Sequence, residues 1–208
     1  MNARRLFVAG ANGAIGRQLT RLARERGVAH VSHLRPGRDP AGFENPAVLA
    51  LSDPDALDAA IKGCTTVLQL IGTKRERFGK GDTYESSDVA TTRQLVESAR
   101  RVGVDHFVLL SAAGAGRPFG AYLKAKARVE ALVMKGGAPY TIFRPSAFTG
   151  EGFRNLSAMD AVTRFLHLSK LRPIPTDVLV AGLLNVALAR EPLDTVLEGE
   201  PLWAVAAT

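Results

Sequence analysis

A chain of 208 residues, 46% apolar and carrying 27 Lys and Arg against 20 Asp and Glu for a formal charge of +7, is long enough to build one α/β domain with its own core. Its single cysteine, Cys64, excludes a disulfide within the chain and fits a reducing, cytoplasmic setting. The basic residues are spread over helix faces among acids, with no aromatic-rich basic stripe, so nucleic acid is not an expected partner; nor is a membrane, because the longest apolar run, Val178 to Ala189, falls short of the roughly 20 residues a span needs.

The first element is a short apolar strand, Leu6 to Ala9, followed by Ile15, Leu19 and Leu22 at helical spacing. Three glycines, Gly10, Gly13 and Gly16, occupy the turn between them in a GxxGxxG spacing. Such a turn has a mechanism: Gly10 permits the sharp bend, Gly13 lets backbone approach a pyrophosphate, and Gly16 lets the helix pack on the strand. The helix N-terminus then offers N–H groups and partial positive charge to phosphates. Val28 to Leu34 predicts a second strand ending at Leu34-Arg35-Pro36-Gly37-Arg38. In a dinucleotide fold an acid at this point accepts from the ribose 2′-hydroxyl, whereas arginine accommodates a 2′-phosphate. Arg35 therefore points to NADP(H) over NAD(H), the other reading being solvated turn arginines. His30 and His33, three apart on this strand, point to opposite faces and do not suggest a shared metal site, so no metal is expected.

Ala47 to Leu51 predicts a third strand, and Asp53-Pro54 starts a helix through Ile61; Asp53 is an N-cap, an adenine contact, or both. Thr66 to Ile71 is a fourth strand ending at Gly72, a second place where backbone can approach the dinucleotide. Lys74 to Asp82 reads as a loop, either solvated or a lid, before a helix from Tyr84 to Val102 closed by Gly103. Val104 to Ser111 predicts a fifth strand with Ser111 at its carboxyl end, where ligands bind in such sheets. Beyond a glycine-rich loop, Tyr122 and Lys126 share a helix face one turn apart. The ammonium is expected to favour the phenolate and lower the Tyr122 pKa, making the phenol a usable acid or base. Taken alone a YxxxK string is weak; Ser111 and the dinucleotide turn give it weight. Tyr140 to Arg144 predicts a sixth strand. Glu151 to Lys170 is an amphipathic region that walls a substrate site or packs on the sheet. Thr176 is the expected cap of a helix to Arg190, and Leu202 to Ala206 an expected edge strand. The alternation predicts a single Rossmann-type domain over 1–208, doubly wound and mostly parallel, with its cofactor between the first and fourth strands and a small substrate-side region around 148–175.

Taken together, Gly10-Ala11-Asn12-Gly13-Ala14-Ile15-Gly16, Arg35, Ser111, Tyr122 with Lys126, and Phe143-Arg144-Pro145-Ser146 resemble the atypical and extended branch of the short-chain dehydrogenase/reductase superfamily, in particular its small NAD(P)H-binding, NmrA-like and complex-I-subunit-like members. The resemblance implies that Asn12, Ala14 and Ile15 join the glycines at the cofactor, with Pro145 abutting the nicotinamide. It implies Ser111 holding a substrate carbonyl, Tyr122 as proton donor, and Lys126 binding the nicotinamide ribose while tuning Tyr122. The family's asparagine in the helix after the fourth strand has no match here, where Ser86, Ser87, Asp88 and Thr91 stand instead. The expected function is NADP(H)-dependent oxidoreduction of a small carbonyl or hydroxyl substrate by a monomer or homodimer. A cofactor-binding regulator or assembly factor without chemistry is the alternative.

Overall fold

The computed structural model describes residues 4–72, 83–153, 156–166 and 168–206. The chain begins with β1 (Leu6–Ala9), α1 (Ala14–Glu25), β2 (His30–Leu34), β3 (Pro46–Val48), α2 (Pro54–Ile61) and β4 (Thr66–Gln69). A π-helical turn over Glu85–Val89 leads into α3 (Ala90–Val102), followed by β5 (His106–Leu110), α4 (Gly120–Met134) and β6 (Tyr140–Phe143). The last part comprises β7 (Phe148–Thr149), α5 (Ser157–Phe165), β8 (Ile174–Pro175), α6 (Thr176–Ala189), β9 (Thr195–Leu197) and α7 (Glu200–Ala206). Seven strands pair in the order β3-β2-β1-β4-β5-β6-β9, all in parallel, and β7 pairs with β8 apart from them. This is a Rossmann-type α/β fold, and the strand order reverses between β1 and β4, as the sequence leads one to expect.

Strand alternation divides the core. Leu6 and Val8, with Leu68, Val108 and Phe143, face α1 and α6, while Phe7 and Ala9, with Val67, Phe107, Leu109 and Ile142, face α2, α3 and α4. Both faces are covered, which explains why β1, β2, β4 and β5 are buried at every residue. Asp53 caps α2, its Oδ1 accepting from the Ala56 N–H at 3.1 Å, with Pro54 at the first helical position.

Three expectations need correction. Leu202 to Ala206 is helical, because Leu202 and Ala206 lie one turn apart and both bury their side chains, against α6. Gly182 makes that approach possible: a Cβ there would stand 2.8 Å from the Ala206 Cα. The seventh strand is instead Thr195–Leu197, beside β6. Thr176 is the first residue of α6 and makes no capping bond; Pro175, extended at φ −60° and ψ 137°, holds the cap position. The third strand lies at Pro46–Val48, with a proline at its first residue on the sheet edge, where no N–H is required. The loop expected at Lys74 to Asp82 lies outside the described residues.

His106 on β5 is wholly buried with Nε2 2.8 Å from the Thr141 hydroxyl; burial, aided by the Arg190 charge, pushes its pKa down to about 4 from 6.5. A histidine depressed by folding stabilises the native state above its unfolded pKa and loses that contribution as pH falls toward the folded one. The free energy of unfolding is therefore expected to drop by roughly 3 kcal/mol as pH falls from about 6.5 to about 4. Urea titrations across that window check it: His106→Gln should flatten the dependence, and an unchanged slope would contradict the assignment.

Candidate active site

Gly10 leaves β1 at φ +89°, a backbone region that costs an L side chain strain, and a Cβ there would also press on Ile71 at 3.1 Å. At Gly16 the conflict is harder, since a Cβ would lie 2.2 Å from the Gly10 carbonyl oxygen. The turn closes with the Gly13 N–H donating to that oxygen at 3.0 Å, and α1 starts at Ala14. Gly13 and Ala14 are exposed, no acid stands in the first turn of α1, and Gly13 supplies no side-chain cap. The amides that open the helix are thus presented at the carboxyl end of β1, beside the crevice between β1 and β4. A cradle of this shape, where side chains are excluded and an N-terminus faces outward, fits the pyrophosphate of a dinucleotide. Ile15 turns the other way, into the core, while Asn12 is half-buried and its carbonyl accepts from Arg17 Nε at 3.2 Å. Arg35 is exposed directly after β2, at the ribose end of such a site.

Across the crevice, Gly72 follows β4 with the Lys126 ammonium against it: a Cβ on Gly72 would stand 2.8 Å from Lys126 Nζ. Lys126 is buried on α4, and its ammonium is 5.8 Å from the centre of the Tyr122 ring, one turn earlier. The fold therefore brings Tyr122, Lys126 and Gly72 together. It also brings a residue whose role sequence reasoning missed. Asp88, on the π-helical turn and 1% exposed, sits 3.1 Å from Lys126 Nζ. Its partner Lys126 thereby carries a compensating charge close at hand.

Burial and that carboxylate overturn the expected tuning of Tyr122. Burial raises the phenol's pKa above its ordinary value, and the charge of Asp88 raises it further, with a smaller contribution from Tyr84. The Tyr84 ring lies 5.8 Å from that of Tyr122, centre to centre. Tyr122 is accordingly a protonated phenol at neutral pH, an acid more readily than a base.

Ser111, at the end of β5, is 4% exposed and its hydroxyl donates to Glu130 Oε1 at 2.5 Å. Arg144, just beyond β6, donates Nε to the same oxygen at 2.9 Å and Nη2 to Oε2 at 2.5 Å, and reaches Glu198 Oε2 at 3.3 Å. Salt-bridging to both acids raises the Arg144 pKa further, Glu130 foremost. Glu130 follows Lys126 by one helical turn, so an acid on the buried face of α4 was the available signal. Pro145, buried after Arg144, has its carbonyl occupied by the Ala113 N–H at 2.9 Å.

The turn after β7 reaches back to the dinucleotide turn. Gln18 Nε2 donates to the Glu151 carbonyl at 3.2 Å, Arg21 pairs with the Glu151 carboxylate at 2.9 Å, and a Cβ on Gly152 would stand 3.9 Å from that of Ala14. Met159, Val162 and Phe165 on α5 are exposed, at 37%, 55% and 83%, so this amphipathic face does not pack on the sheet. Elsewhere, an open hollow of about 660 Å³ lies near the C-terminal part of α6, lined by Asn185, Val186, Ala189, Pro192 and Leu193, on segments separate from this crevice. No described helix is long and apolar enough to cross a membrane.

Comparison with known proteins bears on the family and the fold. A family profile described as NAD(P)H-binding matches residues 10–170. Protein FMP52, mitochondrial, of Debaryomyces hansenii is 27% identical over 151 residues, 70% of this chain and 67% of that protein. The uncharacterized sugar epimerase YhfK of Bacillus subtilis is 27% identical over 164 residues, 71% of this chain and 73% of that one. In structure, a short-chain dehydrogenase/reductase superfamily protein from Agrobacterium tumefaciens, solved with bound NAD, superposes with a TM-score of 0.74 at 21% identity, covering 94% of this chain and 77% of that one. At that identity the likeness is one of fold. Because the matched span runs from the first glycine of the turn past the Tyr122 and Lys126 helix, the chain belongs to the NAD(P)H-binding family, and its fold is of the Rossmann type.

Proposed function

We propose that this protein is an NADP(H)-dependent oxidoreductase that reduces a small carbonyl compound, or a related epimerase that passes through one. The carrying observation is the convergence at Gly72: the ammonium of Lys126, one turn from the phenol of Tyr122, stands against the backbone just past β4, beside the dinucleotide crevice. Gly10, Gly13 and Gly16 would cradle the pyrophosphate, with Asn12, Ala14 and Ile15 shaping the turn. Arg35 would meet a 2′-phosphate, Asp53 the adenine side, and Gly72 and Pro145 the nicotinamide half. The nicotinamide supplies or takes hydride when bound. Tyr122, protonated at neutral pH, delivers the proton that a reduced carbonyl oxygen needs, and Lys126 orients the ribose and steadies the phenol. The segment 148–175 serves as the substrate-side wall of a single domain, its turn at Glu151 tied to α1.

A second reading rests on one observation. Asp88 offsets the charge of Lys126 and leaves Tyr122 unactivated as a base, which suits a regulator that binds NADP(H) without chemistry. Incubation of NADPH with a broad carbonyl panel separates the readings: turnover above background supports the reductase, and its absence across the panel supports the regulator.

Cofactor choice follows from Arg35. NADPH is expected to bind about tenfold or more tightly than NADH, and Arg35→Ala to remove most of that difference, as read by fluorescence titration. Equal dissociation constants in the unmutated protein would contradict it. The monomer or homodimer expected from the sequence is read by light scattering. A cytoplasmic setting rests on the lone Cys64, and the mitochondrial relative makes organelle fractionation the deciding measurement.

A further inference from the structure

We infer that α5 and the turn after it form a docking surface for an anionic lipid bilayer, on which the protein rests without crossing it. The helix is amphipathic in the reverse sense, with its polar face inward. Asp160 and Thr163, three residues apart, share that face. Thr163 is 5% exposed, its hydroxyl donating to the Met159 carbonyl at 2.8 Å, and the Asp160 carboxylate accepts from Arg172 Nε at 3.0 Å. Arg172 also stacks on the Trp203 ring at 3.6 Å, which ties the polar face to α7. Val162 and Phe165 share the opposite face and look outward, Phe165 at 83% exposure. Leu166, Leu168 and Leu171 are exposed beside them, so the apolar side chains form one patch where a solvated surface carries them singly.

Charge names the occupant. Between positions 154 and 172 the sequence carries Arg154, Arg164, Lys170 and Arg172 against Asp160 alone, and Lys170 is exposed. An apolar face accompanied by basic residues holds a helix in the headgroup layer of an anionic bilayer, where the apolar side chains enter the acyl boundary and the cations meet phosphate. A second copy fits worse, because it sets a chain of net charge +7, and this basic stretch, against its own likeness. That no described helix is long and apolar enough to cross a bilayer does not bear on such docking, since a helix lying in the interface needs an apolar face rather than length. The docking stands whatever chemistry the crevice performs.

Co-sedimentation of the full chain with lipid vesicles tests it. Binding to vesicles of phosphatidylglycerol mixed into phosphatidylcholine is expected to be at least about tenfold tighter than to phosphatidylcholine alone, and to weaken as salt is raised. Phe165→Ser combined with Leu166→Ser should lower it at least about tenfold while the urea midpoint stays where it is, because both side chains are exposed. A dye that brightens in apolar surroundings, attached at Leu166→Cys, should brighten on the anionic vesicles; the native Cys64 is buried and its thiol is pushed up to about 11, so it does not compete for the label. No binding to the anionic vesicles, equal binding by the serine variant, or a dye that stays in water on the bound protein would overturn the inference. A dimer in light scattering that the same serine substitutions dissolve would also overturn it, giving the patch to a second copy.

Discussion

Replacing Tyr122 by phenylalanine is expected to slow NADPH-dependent carbonyl reduction by about 10² to 10⁴ while leaving the dissociation constant for NADPH nearly unchanged. The phenol is a titratable donor placed one turn from Lys126, and phenylalanine keeps the ring against Tyr84 while deleting only the hydroxyl. Its pH signature follows from the direction of the shift. Burial and the Asp88 charge hold the phenol protonated past its ordinary value of 10.0, so the rate should be flat through neutrality and fall only on the alkaline side. A variant that turns over substrate at the unmutated rate, or an alkaline limb well below that value, would remove Tyr122 as the acid.

The second large effect concerns the pair beneath it. Asp88 and Lys126, 1% and 5% exposed at their side chains, form an ion pair that water hardly reaches. Asp88→Ala would leave an ammonium buried against Gly72 without its carboxylate, a change that costs about 3 to 5 kcal/mol in comparable pairs. Thermal and urea denaturation should show a loss of that order. Asp88→Asn is the milder probe, since it keeps a hydrogen-bonding partner of the same shape and removes the charge. Because that charge is one cause of the raised Tyr122 pKa, the alkaline limb of the rate should move to lower pH in Asp88→Asn. Stability unchanged in Asp88→Ala would mean that the pair is worth little.

The parts of this site that could be read in the sequence are those with local causes. Gly10, Gly13 and Gly16 are imposed by backbone geometry within one turn, and the 2.2 Å approach at Gly16 is the physical content of the spacing. The first strand declares itself because burial on both faces leaves Leu6 to Ala9 no polar alternation. Asp53 before Pro54 announces a helix start in the same local way. What could not be read depends on contacts between distant segments. Asp88 meets Lys126 only because a π-helical turn sets the start of α3 against α4, and nothing in Glu85 to Val89 marks that extra turn. The pKa of Tyr122 was expected to fall from the neighbouring lysine alone; the packed structure adds burial and an opposing carboxylate, and the sign reverses. Leu202 to Ala206 has too few residues for periodicity to choose between strand and helix. Its docking on Gly182 decides it.

The central claim is that the turn of Gly10 to Gly16 and the Tyr122 and Lys126 helix serve one bound dinucleotide. A crystal structure of the protein with NADP⁺ tests it most directly. The pyrophosphate is expected on the amides that open α1, the 2′-phosphate beside Arg35, and the nicotinamide end in the crevice with its ribose at Lys126 and its ring beside Tyr122. A dinucleotide bound elsewhere, or one whose nicotinamide end turns away from Tyr122, would contradict it.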